Sequence, residues 1–365
     1  MIPLIDLTRQ HATLRQDLLA AVSRVLDSSR FILGAEGQAL EAALAIRASV
    51  RHGIGVGSGT DALRLALEAL GVAAGDEVIT PAFSFVASAS TIVMAGAVPV
   101  FVDIDADTCT IDPRDVERAI TPRTRGIVAV HLYGHPAAMT PITALARARG
   151  LFVVEDAAQA IGAEVDGRPV GAWGDVTCLS FYPTKNLGAC GDGGMILTDR
   201  DDLAERLRRL RHHGDTGRYQ HVELGSSSRL DELQAAVLRV KLDRLDAWTS
   251  ARRRIAARYR EALADTPLTL PIERTGARHV YHLFTVRHPK RDAFAAALAD
   301  RGVGTSVHYP LPVPAQGLFE GHDSGAWPEA SRAAREVVSL PCFAELTDDE
   351  VDRVAAAVRL ACERL

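Results

Sequence analysis

The sequence is poor in lysine. Only Lys185, Lys241 and Lys290 occur among its 41 basic residues; the others are arginine. Arginine stays protonated and cannot form an imine with an aldehyde, whereas lysine can. A position that needs only positive charge is usually filled by arginine here, so a lysine points to a task that arginine cannot perform. A basic surplus is also lacking: 41 Lys+Arg stand against 46 Asp+Glu, a net charge of -5. Nothing is left over to neutralise the phosphates of a duplex, which argues against a nucleic-acid partner. The five cysteines (Cys109, Cys178, Cys190, Cys342 and Cys362) are widely spaced, without C-x-x-C. That pattern speaks against a zinc ribbon or a disulfide framework and fits a reducing compartment. No apolar run reaches the roughly 20 residues of a membrane span. Met1–Asp6 carries no basic region of a signal peptide. A cytoplasmic protein without a membrane partner is the expectation. No G-K-[ST] occurs, so a nucleotide P-loop is absent.

What is present is a chain of 365 residues, 47% hydrophobic, enough for a large domain and a smaller one. Between about residues 50 and 200, short apolar runs alternate with Ala/Leu-rich amphipathic stretches. Glu77–Thr80, Val98–Val102, Gly126–His131, Leu151–Glu155, Val176–Phe181 and Gly194–Leu197 read as strands. Asp61–Leu70, Ser84–Ala95 and Pro141–Arg149 read as helices. This alternation predicts an α/β protein with a mostly parallel sheet covered by helices. Ligands bind such sheets at the carboxyl ends of the strands. Apolar residues from Leu230 to Leu263 recur at three- and four-residue steps without Gly or Pro, predicting one long helix. His279–Arg287 and Val303–Tyr309 then read as strands, and Arg291–Arg301 and Asp348–Leu365 as helices. A boundary inside the long helix divides the chain into 1–245 and 246–365.

Lys185 lies in Ser180-Phe181-Tyr182-Pro183-Thr184-Lys185-Asn186-Leu187-Gly188, just past a strand end. Its amine would react with an aldehyde if its surroundings lowered the pKa from about 10.4. Lys241, on the polar face of the long helix, and Lys290, in a turn, fit solvated surface charge. Asp156, in Glu155-Asp156-Ala157-Ala158-Gln159, is delivered to another strand end. It could pair with a protonated pyridine nitrogen and Gln159 with a ring substituent; the alternative is that Asp156 caps a helix. Gly57-Ser58-Gly59-Thr60-Asp61 runs into a helix and has the form of a phosphate cradle. It also matches G-x-G-x-x-A, but no acid stands at the end of the next strand, so the dinucleotide reading fails. Ser180 offers a hydroxyl to a phosphate, and Phe85 an aromatic face to a heterocycle. His131 and His135 have metal-ligand spacing, but Gly134 and Pro136 make a loop and no carboxylate is placed with them; no metal site is expected.

Taken together, these segments resemble the DegT/StrS family of pyridoxal-phosphate-dependent nucleotide-sugar aminotransferases. The resemblance spans nearly the whole chain. It includes Gly57–Leu63, Pro81–Ala87, Val130–His135, Glu155–Gln159, Ser180–Gly188, Gly191–Gly194, Ser228–Ala236, Tyr281–Phe284 and Val307–Pro310. It implies the PLP-dependent transferase fold of type I, with a seven-stranded sheet in the large domain. It implies that Lys185 forms the imine and shuttles the proton, that Asp156 holds the pyridine nitrogen and Gln159 the ring hydroxyl, and that Phe85 stacks on the ring. Gly59, Thr60, Asp61 and Ser180 would bind the cofactor phosphate. Ser227 stands where the family usually has the Asn that reaches the partner subunit's cofactor, because the family forms homodimers with active sites at the interface. Tyr182, His308 and Tyr309 would lie near the substrate, although Val313-Pro314 replaces a His common after the His-Tyr-Pro motif. The implied reaction moves an amino group from L-glutamate to a keto group, at C-3, of a dTDP-linked keto-6-deoxysugar. C-4 sugar and cyclitol ketones are alternatives, as is a pyridoxal-phosphate-binding relative without transamination. Dehydratases of the family carry His at the position of Lys185, so dehydration is disfavoured.

Overall fold

The computed structural model describes residues 1–320 and 326–365. Its main sheet contains β1 (His52–Val56), β2 (Glu77–Pro81), β3 (Val98–Val102), β4 (Thr124–Val130), β5 (Phe152–Asp156), β8 (Val176–Ser180) and β9 (Gly194–Thr198). They lie in the order β1-β9-β8-β5-β4-β2-β3. Strand β9 is antiparallel to both neighbours, and the other six share one direction. Strands covered on both faces become continuous apolar runs, which is why β2 and β8 are legible in the sequence. β1 is not, because Gly53 and Gly55 interrupt its run. Gly53 is there for space: an added Cβ would sit 2.5 Å from the Glu41 carbonyl oxygen. Two small sheets complete the fold. The two-residue strands β6 (Glu164–Val165) and β7 (Arg168–Pro169) join β10 (Ala277–Arg278), and β11 (Phe284–Arg287) pairs antiparallel with β12 (Val337–Leu340).

Helices cover both faces of the main sheet. The buried core on one side includes Leu63, Leu65 and Leu67 of the helix Gly59–Ala69 with Ile54, Val128 and Ile196 of the strands. On the other, Ile79, Ile127 and Val153 meet Met139 and Ile142 of the helix Met139–Arg149. A further apolar cluster joins Ile255, Tyr259, Phe284, Phe294, Val338 and Val354 with Ile2 of the N-terminal segment.

Two expectations from the sequence need correction here. The single long helix is two, Glu232–Leu242 and Leu245–Ala262. The break lets each apolar face meet a different core. Ala235 and Leu238 pack with Leu40 and Leu44, whereas Ile255 and Tyr259 pack into the C-terminal cluster. The segment Val303–Tyr309 forms no strand; among the described residues its backbone makes only isolated ladder pairings, Val303 with Ile2 and Ser306 with Ser339. The C-terminal helix, Asp348–Cys362, stands as expected, started by a capping box of Thr347 and Glu350.

Lys241 also differs from its expected place on a polar face. It is fully buried, and its Nζ donates to the Gly188 carbonyl at 2.8 Å and lies 3.0 Å from His11 Nε2. The helix carrying it lies beneath the loop that holds Lys185, so a cation meant for water pins that loop instead. A buried carbonyl stripped of its donor costs about 1–3 kcal/mol. Lys241→Met, which keeps the side chain's length, is expected to lower stability by that amount in denaturant titration. An unchanged unfolding midpoint would contradict this anchoring role.

Candidate active site

The carboxyl ends of β4, β5 and β8 open into a cavity of about 510 Å³. Val130, Asp156 and Ser180 line it from these strand ends, Gly59 and Thr60 from a helix start, and His282, Leu283, His308 and Tyr309 from the C-terminal part of the chain. Gly59, Thr60, Phe85, Asp156, Gln159, Ser180, Tyr182, Lys185, His308 and Tyr309 are therefore brought together from separate segments. Asp61 and Ser227 do not line the cavity. The Asp61 carboxylate pairs with Arg64 at 3.4 Å. Ser227 is exposed, and its Oγ accepts from Arg229 Nη2 at 2.6 Å.

Lys185 sits on a loop whose shape is fixed by its backbone. The Phe181 N–H donates to Gly193 O, the Ala189 N–H to Phe181 O and the Lys185 N–H to Tyr182 O, each at 2.8 Å. Pro183 prevents β8 from continuing. Burial pushes the Lys185 amine down to about 8, against the pull of the Asp156 charge, which favours the protonated form. Asp156 is the last residue of β5 and begins no helix; one of its oxygens accepts from the Ala158 N–H at 3.2 Å. Burial raises its pKa, opposed by that hydrogen bond and by the charge of Lys185.

Behind Asp156 lies a buried pair. His131 Nδ1 accepts from the Ala137 N–H at 2.9 Å, so the ring proton resides on Nε2 and faces Glu155 Oε2 at 3.1 Å. The other Glu155 oxygen accepts from Thr177 Oγ1 at 3.0 Å and from the Gly174 N–H at 2.9 Å. His135 faces elsewhere, edge-on to His279. Among the described residues no group of three or more His, Cys, Asp or Glu is placed to hold a metal.

At the far end of the cavity, Ser58 caps the helix Gly59–Ala69 by accepting from the Asp61 N–H at 3.0 Å. The N–H groups of the first helical turn have no intrahelical acceptors and favour an anion. Gly59 lets the helix start pack against the end of β8, beside Ser180: a Cβ there would lie 2.6 Å from Ser180 Cβ. Above the cavity, Phe85 and Tyr309 have ring centroids 5.9 Å apart. Gln159 joins the two halves of the site. Its Oε1 accepts from the Tyr133 N–H at 2.7 Å, and its Nε2 lies 3.2 Å from the Tyr309 hydroxyl. Burial pushes that hydroxyl up to about 12. His308 Nδ1 is 2.9 Å from Ser339 Oγ, and Tyr182 stands at the exposed rim.

Sequence reasoning assigned no role to Ser84 or His282. Ser84 is a buried cavity-lining serine whose hydroxyl has no partner among the described residues. His282 Nδ1 is 3.0 Å from Asn186 Oδ1. Burial, aided by the charges of Lys185 and Arg252, drives its pKa well below the ordinary value. Neither residue has a spacing signal; His282 could have been found only through the Tyr281–Phe284 segment of the resemblance.

The sheet order and the lysine beside a strand-end carboxylate define a PLP-dependent transferase of fold type I. The chain belongs to the DegT/DnrJ/EryC1/StrS aminotransferase family, which it matches over residues 12–359. It is 49% identical over 363 residues to a "pleiotropic regulatory protein" of Geobacillus stearothermophilus, covering 98% of this chain and 97% of that one. It is 46% identical over 367 residues to the dTDP-3-amino-3,4,6-trideoxy-alpha-D-glucose transaminase of Streptomyces venezuelae, covering 100% and 97%. The crystal structure of S. venezuelae DesV in complex with a ketimine intermediate superposes with a TM-score of 0.97 at 46% identity, covering 100% of this chain and 99% of that one. NtdA from Bacillus subtilis, solved with its bound cofactor PMP, gives a TM-score of 0.90 at 33% identity, with coverages of 99% and 83%.

The electrostatics of Lys185 predict a titration. Its amine loses its proton as pH rises through about 8. In cofactor-free protein, acylation of Lys185, followed by peptide mass spectrometry, should reach half its maximal rate near that pH. Asp156→Asn removes a charge that holds the proton on and should move the midpoint lower. A midpoint at the free-lysine value of about 10.4 would contradict the desolvated geometry.

Proposed function

We propose that the protein transfers an amino group from L-glutamate to the C-3 keto group of a dTDP-linked keto-6-deoxysugar, using pyridoxal 5'-phosphate. The observation that carries this reading is the placement of Lys185 beside Asp156, with the Gly59–Thr60 cradle in the same cavity. The cavity suits the cofactor on chemical grounds. It offers an amine for an aldehyde, a carboxylate for a pyridinium, first-turn N–H groups for a phosphate, and the unpartnered Ser84 hydroxyl. When bound, the cofactor supplies an electron sink that stabilises the carbanion left by the departing α-proton of the donor.

The chain's own residues then have distinct tasks. Asp156 keeps the pyridine nitrogen protonated; burial raises its pKa, and the Ala158 N–H and the positive charge of Lys185 act against that rise. Lys185 takes the proton from the donor's α-carbon and holds it for return. With a pKa of about 8 a useful share of it is a free amine at neutral pH. Gly59, Thr60 and Ser180 hold the phosphate, and Phe85 covers the ring. Asp61 acts at one remove, through its pairing with Arg64. Tyr182, His308 and Tyr309 face the sugar. Two further expectations belong to this reading. The chain divides near residue 245 into a cofactor-binding lobe and a smaller C-terminal lobe. Two copies form a homodimer in which Ser227 reaches toward the partner's cofactor. The strongly exposed Tyr219, Val222 and Leu224, close to Ser227, support this assembly. The five free cysteines support a reducing, cytoplasmic setting.

The likeness to a pleiotropic regulatory protein gives a second reading, cofactor binding without turnover. One experiment separates the two. Protein loaded with pyridoxal phosphate is treated with borohydride and peptide-mapped, and the pyridoxamine form is mixed with dTDP 3-keto and 4-keto sugars. The proposal expects the label on Lys185 and a preference for the 3-keto sugar on the order of 10²-fold, as a misplaced polar group permits. A label on Lys241 or Lys290 would refute the site. A correct label without turnover of any keto sugar would favour the second reading, and faster 4-keto turnover would move the reaction to C-4.

A further inference from the structure

Behind the main cavity is a side chamber of about 130 Å³, lined by Leu4, Ile5, Leu340 and Cys342 and closed on one side by Arg252. Thr184, His282, Leu283 and His308 line both spaces, so the chamber lies directly beside the Lys185 cavity. The charges of Lys185 and Arg252 both act on His282.

Arg252 is an unusual cation. It is only 6% exposed, and it pairs with no carboxylate among the described residues. Its Nη1 alone is engaged, donating to the carbonyls of Tyr281 and His282 at 3.3 Å and to that of Cys342. Nη2 and Nε make no hydrogen bond to a described residue, yet neither is among the buried atoms sealed off without a partner. Such donors, in a chamber lined besides by apolar residues and by the uncharged Thr184, His282 and His308, lack the anion that normally accompanies a buried guanidinium. Glu345 acts on it by charge without forming an ion pair. His282 and His308 are held neutral by burial and supply no counter-charge.

We propose that Arg252 and this chamber receive the side-chain carboxylate of the amino donor, making the site selective for a dicarboxylic amino acid. The inference rests on the aminotransferase reading above and adds the origin of donor choice. A guanidinium binds a carboxylate through two parallel N–H donors, and Arg252 retains Nη2 and Nε for that purpose. The chamber's size admits a carboxylate on a short methylene arm, and Leu4, Ile5 and Leu340 suit the methylenes. Glutamine would bring a neutral amide to the same donors and lose the charge interaction.

The test uses the full-length, cofactor-loaded protein and glutarate, an unreactive dicarboxylate. Calorimetry should show glutarate binding at least about tenfold more tightly than butyrate, the loss expected for one charge-assisted hydrogen-bonded pair. Arg252→Gln keeps an amide for the carbonyls and removes the charge. It should abolish that preference and lower the glutamate-to-glutamine ratio of the amino-donor half reaction by a similar factor. Should the variant not fold, a glutarate-soaked crystal of the unaltered protein decides. A carboxylate within hydrogen-bond distance of Arg252 supports the proposal; a chamber filled only by water at saturating glutarate overturns it. An unchanged glutamate-to-glutamine ratio in folded Arg252→Gln also overturns it. Failure of the aminotransferase reading would look different, because no amino acid would then convert the cofactor.

Discussion

Everything in the site depends on one amine being kept partly out of water while facing a carboxylate. Burial alone would strip the proton from Lys185, and the Asp156 charge alone would hold it on. The balance sets the amine near 8 and makes it competent in both protonation states. Neither group could be moved independently. Asp156 is fixed by the end of β5 and by its neighbour Ala158. Lys185 is fixed by a loop closed on itself and tied from below by Lys241. The parallel sheet thus does more than supply a core, because it delivers both groups to one edge from strands that are hydrogen-bonded neighbours.

The buried layer behind this pair keeps it in place. Glu155 immediately precedes Asp156 and points to the other side of β5. Its carboxylate is satisfied by His131, Thr177 and backbone N–H groups. Burial raises its pKa, but these bonds outweigh it and keep the acid ionised. Alternation along one strand therefore separates a structural carboxylate from one offered to the cavity. Gln159 performs a similar service between halves of the chain, linking the Tyr133 backbone to the Tyr309 hydroxyl.

Much of the sheet was legible because its strands are buried on both faces and bounded by Gly, Pro and Asp. The run Val98–Val102 coincides with β3, and the others end within a residue or two of their strands. The failures have definite causes. β1 is hidden by glycines that a neighbouring backbone requires. Apolar periodicity continues through residues 243–244, but the packing partner changes between Leu245 and Ile255, and periodicity does not report a change of partner. Lysine scarcity drew attention to Lys185, yet it misplaced Lys241, since composition cannot show that a carbonyl waits beneath a helix. Strand-end logic brought Asp156, Ser180 and Lys185 into one cavity without a template. The sugar-facing assignments of Tyr182, His308 and Tyr309 came from the resemblance, because isolated His and Tyr residues have no period or spacing of their own.

The central claim is that Lys185 moves the proton of the amino donor. The most direct measurement follows exchange of the α-hydrogen of L-glutamate with solvent deuterium, in unaltered protein and in Lys185→Ala, both loaded with cofactor. Removing a positioned acid–base group should slow exchange by about 10²–10⁴-fold, and added methylamine should restore it in proportion to its concentration. Exchange at the original rate in Lys185→Ala without added amine would contradict the account.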